Sequence, residues 1–140
     1  MTDEELLRQF EDRSLPFDQW VHRAHIKVAY LYLTRQPFEV AVEKMRSGIR
    51  AYNAAHHVPD VPDEPTRGYH ETMTLAWLRI IHTTIRLYGC AASADEFVDS
   101  QPQLKEKKIL RLFYSPEVMM SARAKREFVG PDLAPLPLAG

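Results

Sequence analysis

Prolines divide this chain into segments of helical length. A proline inside a helix removes a backbone hydrogen bond and clashes with the preceding turn, so helices end before a proline or begin at one. Between the prolines, apolar residues recur at helical spacing, and no segment shows the strict alternation of a β-strand. This pattern predicts helices near residues 16–35, 38–56, 69–88, 103–113 and 116–128.

The chain is predicted to form a single all-α domain over residues 1–140, a bundle of about five to six helices. Its length allows a hydrophobic core that needs no disulfide or metal. Thr2 and Glu5 have capping-box spacing, which predicts an N-terminal helix or arm within residues 1–15. Residues 129–140 are rich in proline and are predicted to form an extended tail. Gly48, inside the second long helix, predicts a kink or a close helix contact.

Charge and cysteine content argue against several functional classes. The formal net charge of -1 and a sequence pI near 6.6 give no electrostatic footprint for nucleic acid. The single cysteine, Cys90, rules out a disulfide within the chain and fits a reducing compartment. The acidic N-terminus lacks the apolar core of a secretion signal, and no segment has the length of a membrane helix. We therefore expect a cytoplasmic protein with neither nucleic-acid nor membrane partners.

Two polar motifs lie on faces that should point into the bundle. In "HRAH", His22 and His25 fall within about 60° of Asp18 on a helix drawn at 100° per residue. In "YHET", His70 shares the apolar face of the following helix, and Glu71 lies on its flank. The two motifs are predicted to form opposite walls of one polar pocket.

Imidazole and carboxylate groups are common ligands of zinc, and open catalytic zinc sites use three protein ligands. The pattern therefore predicts a divalent metal, zinc before others, in a hydrolase or hydratase that acts on a small polar substrate. The metal ligands would be His22, His25 and His70, with Glu71 as catalytic base. Groups that orient ligands or bind substrate would be Asp18, Tyr69, Thr74 and Arg111.

A non-catalytic function explains the same residues. Histidines on an apolar face usually satisfy hydrogen bonds within a core, and these polar groups could form a structural network. The protein would then be a helical module that binds a small molecule or a protein partner. A homodimer stays open under either hypothesis.

Three strings resemble a family of small, all-helical bacterial proteins of uncharacterised function: "FDQWVHRAHIKVAYLYL", "GYHETMTLAW" and "SARAKREFVGPDLAPLP". The resemblance covers most of the chain from Phe17 to Pro137. Since that family has no established activity, the resemblance implies no reaction. The predicted bundle is also similar in fold class to DinB-like proteins, which hold a metal with three histidines. Their second and third histidines lie four residues apart on the last helix, whereas His22 and His25 lie three apart on an early one.

Overall fold

The computed structural model describes residues 1–137, and within them it contains helices and no strand. The all-α prediction is confirmed. Short 3-10 helices cover Phe17–Gln19, Pro102–Lys105 and Lys107–Leu112. The α-helices are α1 Asp3–Glu11, α2 His22–Arg35, α3 Phe38–Ala55, α4 Glu71–Tyr88, α5 Ala94–Ser100, α6 Pro116–Met119 and α7 Ala122–Arg126.

Helix α2 lies at the centre of the bundle and packs against α1, α3, α4 and α5. Its residues 28–33 are all buried, so this stretch has no solvent-facing side. A helix that is apolar all round must be covered on every face. The surrounding helices need only one apolar face each, and α3 and α4 place theirs against α2.

The starts of α1, α5 and α6 are each capped by a side chain. Thr2 and Glu5 form the predicted capping box of α1, each side chain accepting from the other's backbone N–H. Ser93 caps α5 by accepting from the backbone N–H of Glu96, at 3.1 Å. Ser115 caps α6 in the same way. These contacts satisfy backbone donors that the first helical turn leaves free.

Three predicted helices differ from the observed ones. The helix expected near 16–35 begins as a 3-10 turn, and α2 starts only at His22 because Val21 is extended. Residues 103–113 form two 3-10 helices separated by the extended residue Glu106, whose side chain accepts from the backbone N–H of Lys108. The helix expected near 116–128 is divided at Ser121, which caps a new helix through Ala124. In the last two cases a polar side chain competes for backbone groups that a continuous helix would use.

The last described part of the chain, which ends at residue 137, packs against the bundle. The Leu133 N–H donates to the carbonyl of Phe113, and Leu136 is buried. The prediction of an extended tail also covers residues 138–140, which lie outside the described residues. Among the described helices, none is long and apolar enough to cross a membrane.

Gly48 allows α3 to pack directly against α1. A Cβ atom at this position would lie 2.6 Å from Cε2 of Phe10 and 2.8 Å from its Cζ. The Phe10 ring is buried and stacks on Trp20 at 4.7 Å and on Tyr52 at 6.0 Å. The ring therefore has little room to move, and the predicted close contact explains the glycine.

We expect Gly48→Ala to lower the free energy of unfolding by about 1–3 kcal/mol, because overpacking outweighs the gain in helix propensity. Urea denaturation measures the effect. Gly130→Ala is the matched control, since a Cβ there meets nothing within 4 Å. Phe10→Leu should restore part of the loss in the double variant. Equal stability of both glycine variants and the wild type would contradict the packing argument.

Candidate functional site

A cavity of about 810 Å³ lies between α2, α3 and α4 and is bordered by the segments around residues 107–111 and 116–120. Residues from both polar motifs contribute to its lining. Six of the eight residues predicted for the site line this cavity: His22, His25, Tyr69, His70, Thr74 and Arg111.

Most of the remaining lining is apolar. The larger side chains include Trp20, Trp77, Met45, Met73, Ile81 and Met119. Three further lining residues are large apolar side chains that are unusually exposed: Phe17 at 56%, Val21 at 53% and Met120 at 41%. The cavity therefore has an apolar interior and an apolar rim that water still reaches.

His70 uses both ring nitrogens within the fold. Its Nδ1 accepts from the backbone N–H of Met73, which caps α4. Its Nε2–H donates to the carbonyl of Met119 at 2.9 Å, because a carbonyl can only accept. Burial lowers the pKa of the His70 imidazole, and nearby Lys125 lowers it further, so the neutral tautomer with the proton on Nε2 is favoured.

His22 also ties two distant segments together. Its Nε2–H donates to the carbonyl of Leu104 at 2.9 Å, and its ring meets Trp77 edge-on with centroids 4.9 Å apart. Burial lowers the pKa of His22, and the charge of Lys107 acts in the same direction. His22 therefore holds the 3-10 segment around residue 104 against α2.

The ring of His25 makes no hydrogen bond within the described part of the chain. Its half-buried ring lies against Trp20, with centroids 3.9 Å apart, and no described residue bonds to either nitrogen. Burial lowers its pKa to about 3, and His22 and Lys107 contribute to the shift. A neutral imidazole that lines a cavity and has a spare donor and acceptor can contact a bound molecule.

Glu71 lies outside the cavity lining, which differs from the catalytic role predicted for it. Its carboxylate accepts two bonds from Arg46, at 3.0 and 2.6 Å, and one from the Tyr69 hydroxyl. Although burial raises the pKa of Glu71, these bonds lower it by more, so the net shift is downward. The group links α3 to α4 and is not directed at the cavity as a base.

The four residues predicted to orient ligands or to bind substrate lie in different surroundings. Asp18 is exposed in the first 3-10 helix and makes no hydrogen bond to an imidazole among the described residues. Tyr69 lines the cavity, but its hydroxyl bonds to Glu71. The Thr74 hydroxyl donates to the His70 carbonyl within its own helix. Arg111 is exposed at the cavity rim.

This arrangement does not assemble the predicted metal ligands. Within residues 1–137, no group of three or more His, Cys, Asp or Glu side chains is placed to hold a metal ion. A metal at His70 would have to replace either the α4 cap or the bond to Met119. The zinc site and the hydrolase or hydratase activity stay untested predictions, and the geometry supports a different use of the histidines.

Several aromatic and charged residues that line the cavity were not predicted as site residues. They include Trp20, Trp77, Lys107 and Lys108. The sequence offers one indication of their role, which is that they lie close along the chain to predicted site residues. Trp20 lies just before "HRAH", and Lys107 lies four residues before Arg111. That signal is weak without knowledge of how the segments pack.

No protein-family model matches this chain, and searches of curated proteins and of solved structures each gave no match. The resemblance to a bacterial family therefore stays a prediction.

We expect His70→Ala to lower the free energy of unfolding by about 1–3 kcal/mol, because it removes the α4 cap and leaves the Met119 carbonyl unpaired. His70→Asn should recover part of the loss, since asparagine caps helices well but is too short to reach Met119. Thermal and urea denaturation measure both variants. Wild-type stability in His70→Ala would contradict the role given to His70.

The buried histidines also predict a pH dependence of folding. The pKa of His25 falls from 6.5 in the unfolded chain to about 3 in the fold. The unfolded state therefore binds more protons below pH 6.5, and stability that is present above that pH is lost as the pH falls towards 3. Between these two pKa values His25 contributes a slope of at most about 1.4 kcal/mol per pH unit.

We expect His25→Gln to flatten the dependence of unfolding free energy on pH between about 6 and 5, above the range where most carboxylates titrate. The control is His57→Asn, at an exposed position whose φ of 58° asparagine tolerates. Urea titrations at several pH values give the slopes. An unchanged slope in His25→Gln would contradict the burial of a neutral imidazole.

Proposed function

We propose that this protein is a non-catalytic binding module that takes a small, largely apolar molecule into the cavity between α2, α3 and α4. The observation that carries the proposal is the cavity itself, with its apolar interior and exposed apolar rim. Its volume of about 810 Å³ lies in the range of about 300–1,000 Å³ that is typical of small-molecule sites. We place this function in the cytoplasm, as the lone cysteine suggests.

The polar groups at the cavity support the proposal. Ligand sites commonly combine apolar walls with a few polar groups that fix orientation. Here His25 has no hydrogen-bond partner among the described residues, whereas His22 and His70 are held by backbone carbonyls. One polar group is thus free to meet a ligand while its neighbours maintain the walls.

The exposed rim supports it as well. Phe17, Val21 and Met120 each leave a large part of an apolar side chain exposed to water. Covering such surface stabilises a complex by about 25 cal/mol per Å². Met120 at the rim can adjust to ligands of different shape, because its side chain is flexible and polarizable.

The metal-dependent enzyme is the weaker proposal because it requires His70 to give up a bond and Glu71 to leave Arg46. Elemental analysis of untagged protein tests it directly. Stoichiometric zinc that is lost in His22→Ala and kept in His57→Ala would favour the enzyme over the binding module.

We expect the neutral fluorescent probe N-phenyl-1-naphthylamine to bind one molecule per chain, with a Kd at or below about 100 µM. Trp20 and Trp77 are the two tryptophans of the chain and both line the cavity, so energy transfer from them to the probe reports binding. Absence of saturable transfer would contradict the proposed function.

Two variants should block the cavity from opposite walls. Ala29→Phe on α2 and Thr74→Phe on α4 both add an aromatic ring at a lining position. We expect each to weaken probe binding at least about tenfold, provided that circular dichroism shows an intact fold. Ala54→Phe, at an exposed position on α3, is the matched control and should bind like the wild type.

A further inference from the structure

We propose that the natural ligand is an amphipathic carboxylate, whose apolar body fills the cavity and whose anionic group lies at the rim beside Lys107, Lys108 and Arg111. This inference rests on the proposed function and names the chemical class of the molecule bound there.

The charges around the cavity all have one sign. Lys107, Lys108 and Arg111 border it, and no Asp or Glu belongs to its lining. The chain as a whole carries a formal net charge of -1, so this local excess of positive charge is not a reflection of overall composition. A rim with one sign of charge attracts a ligand group of the opposite sign.

These three cations form no ion pair among the described residues. Their neighbour Lys105, by contrast, lies 3.5 Å from Asp99, and Arg23 contacts the same carboxylate. The nearest acid in sequence, Glu106, accepts from the backbone N–H of Lys108 and does not line the cavity. The positive groups are therefore available to a ligand without displacing an internal partner.

The segment that carries the cations is fixed relative to the cavity. His22 binds the carbonyl of Leu104, and Leu110 is buried between the charged residues. Lys108 and Arg111 are three residues apart, which is one turn of their 3-10 helix, so their side chains lie on the same side. Lys107 is close enough to His22 and His25 for its charge to disfavour their protonation.

His25 completes the polar set. As a neutral imidazole it can donate one hydrogen bond to a carboxylate oxygen. A carboxylate bound at this rim would thus meet two ammonium groups, a guanidinium and a neutral donor, above walls that accept an aliphatic or aromatic chain.

The test compares 6-phenylhexanoate with 6-phenylhexanamide, which share the apolar body and differ in charge. Their binding is followed through the fluorescence of Trp20 and Trp77. At an ionic strength of about 20 mM we expect the carboxylate to bind at least about tenfold more tightly than the amide. At about 0.5 M this preference should fall below about threefold, because salt screens exposed charges.

The triple variant Lys107→Gln, Lys108→Gln, Arg111→Gln should lose the preference while its affinity for the amide changes less than about twofold. A charge-matched triple variant at exposed positions that do not line the cavity, Arg67→Gln, Arg86→Gln, Arg123→Gln, should keep the preference.

The outcomes separate the two proposals. Equal binding of carboxylate and amide overturns the anionic ligand and leaves the cavity function standing. An equal loss of affinity for both ligands in the triple variant of Lys107, Lys108 and Arg111 also overturns it. The three residues would then maintain the folded structure and not recognise the carboxylate. Loss of the preference in the charge-matched variant assigns it to overall charge and overturns the rim. If neither of the two ligands nor the neutral naphthylamine probe binds, the proposed binding function is overturned as well.

Discussion

The cavity depends on the two hydrogen bonds of His70. One caps α4 through Met73, and the other reaches the carbonyl of Met119, 49 residues along the chain. A neutral imidazole has one donor and one acceptor, so this pair of bonds uses the whole ring and fixes its tautomer. Lys125 adds a second tie beside it, from its ammonium to the carbonyl of Tyr69 at 2.7 Å. Together these contacts hold the C-terminal helices across the bundle as one border of the cavity.

A cavity lowers the stability of a core because its lining side chains lose packing contacts. Beside this cavity the core is packed closely. Phe10, Trp20 and Tyr52 stack in one cluster, and Gly48 lets α3 approach it without a side chain between them. Trp20 belongs to both regions, because its ring also lies against His25 at the cavity wall. The aromatic cluster thus supports the imidazole of His25, for which residues 1–137 provide no hydrogen-bond partner.

The histidines show why residue type and helical spacing do not define a chemical role. His22, His25 and His70 all line one cavity. His22 bonds a backbone carbonyl, and His70 both bonds a carbonyl and caps α4. His25 has no hydrogen-bond partner for its ring among residues 1–137. Glu71, by contrast, does not line the cavity. From the flank of α4 its carboxylate accepts hydrogen bonds from Arg46 on α3. Ligation and catalysis depend on such partners, which spacing along one helix does not reveal.

The sequence by itself determined the helical class, the caps at Thr2, Ser93 and Ser115, and the inward faces of α2 and α4, because these features arise from residues within a few positions of each other. The tertiary structure decided where helices were broken into 3-10 turns, which polar groups were paired, and that cations from a distant segment border the cavity. The bond from His22 to Leu104 joins residues 82 apart. No local pattern specifies such a contact, because it exists only once the helices between them have packed.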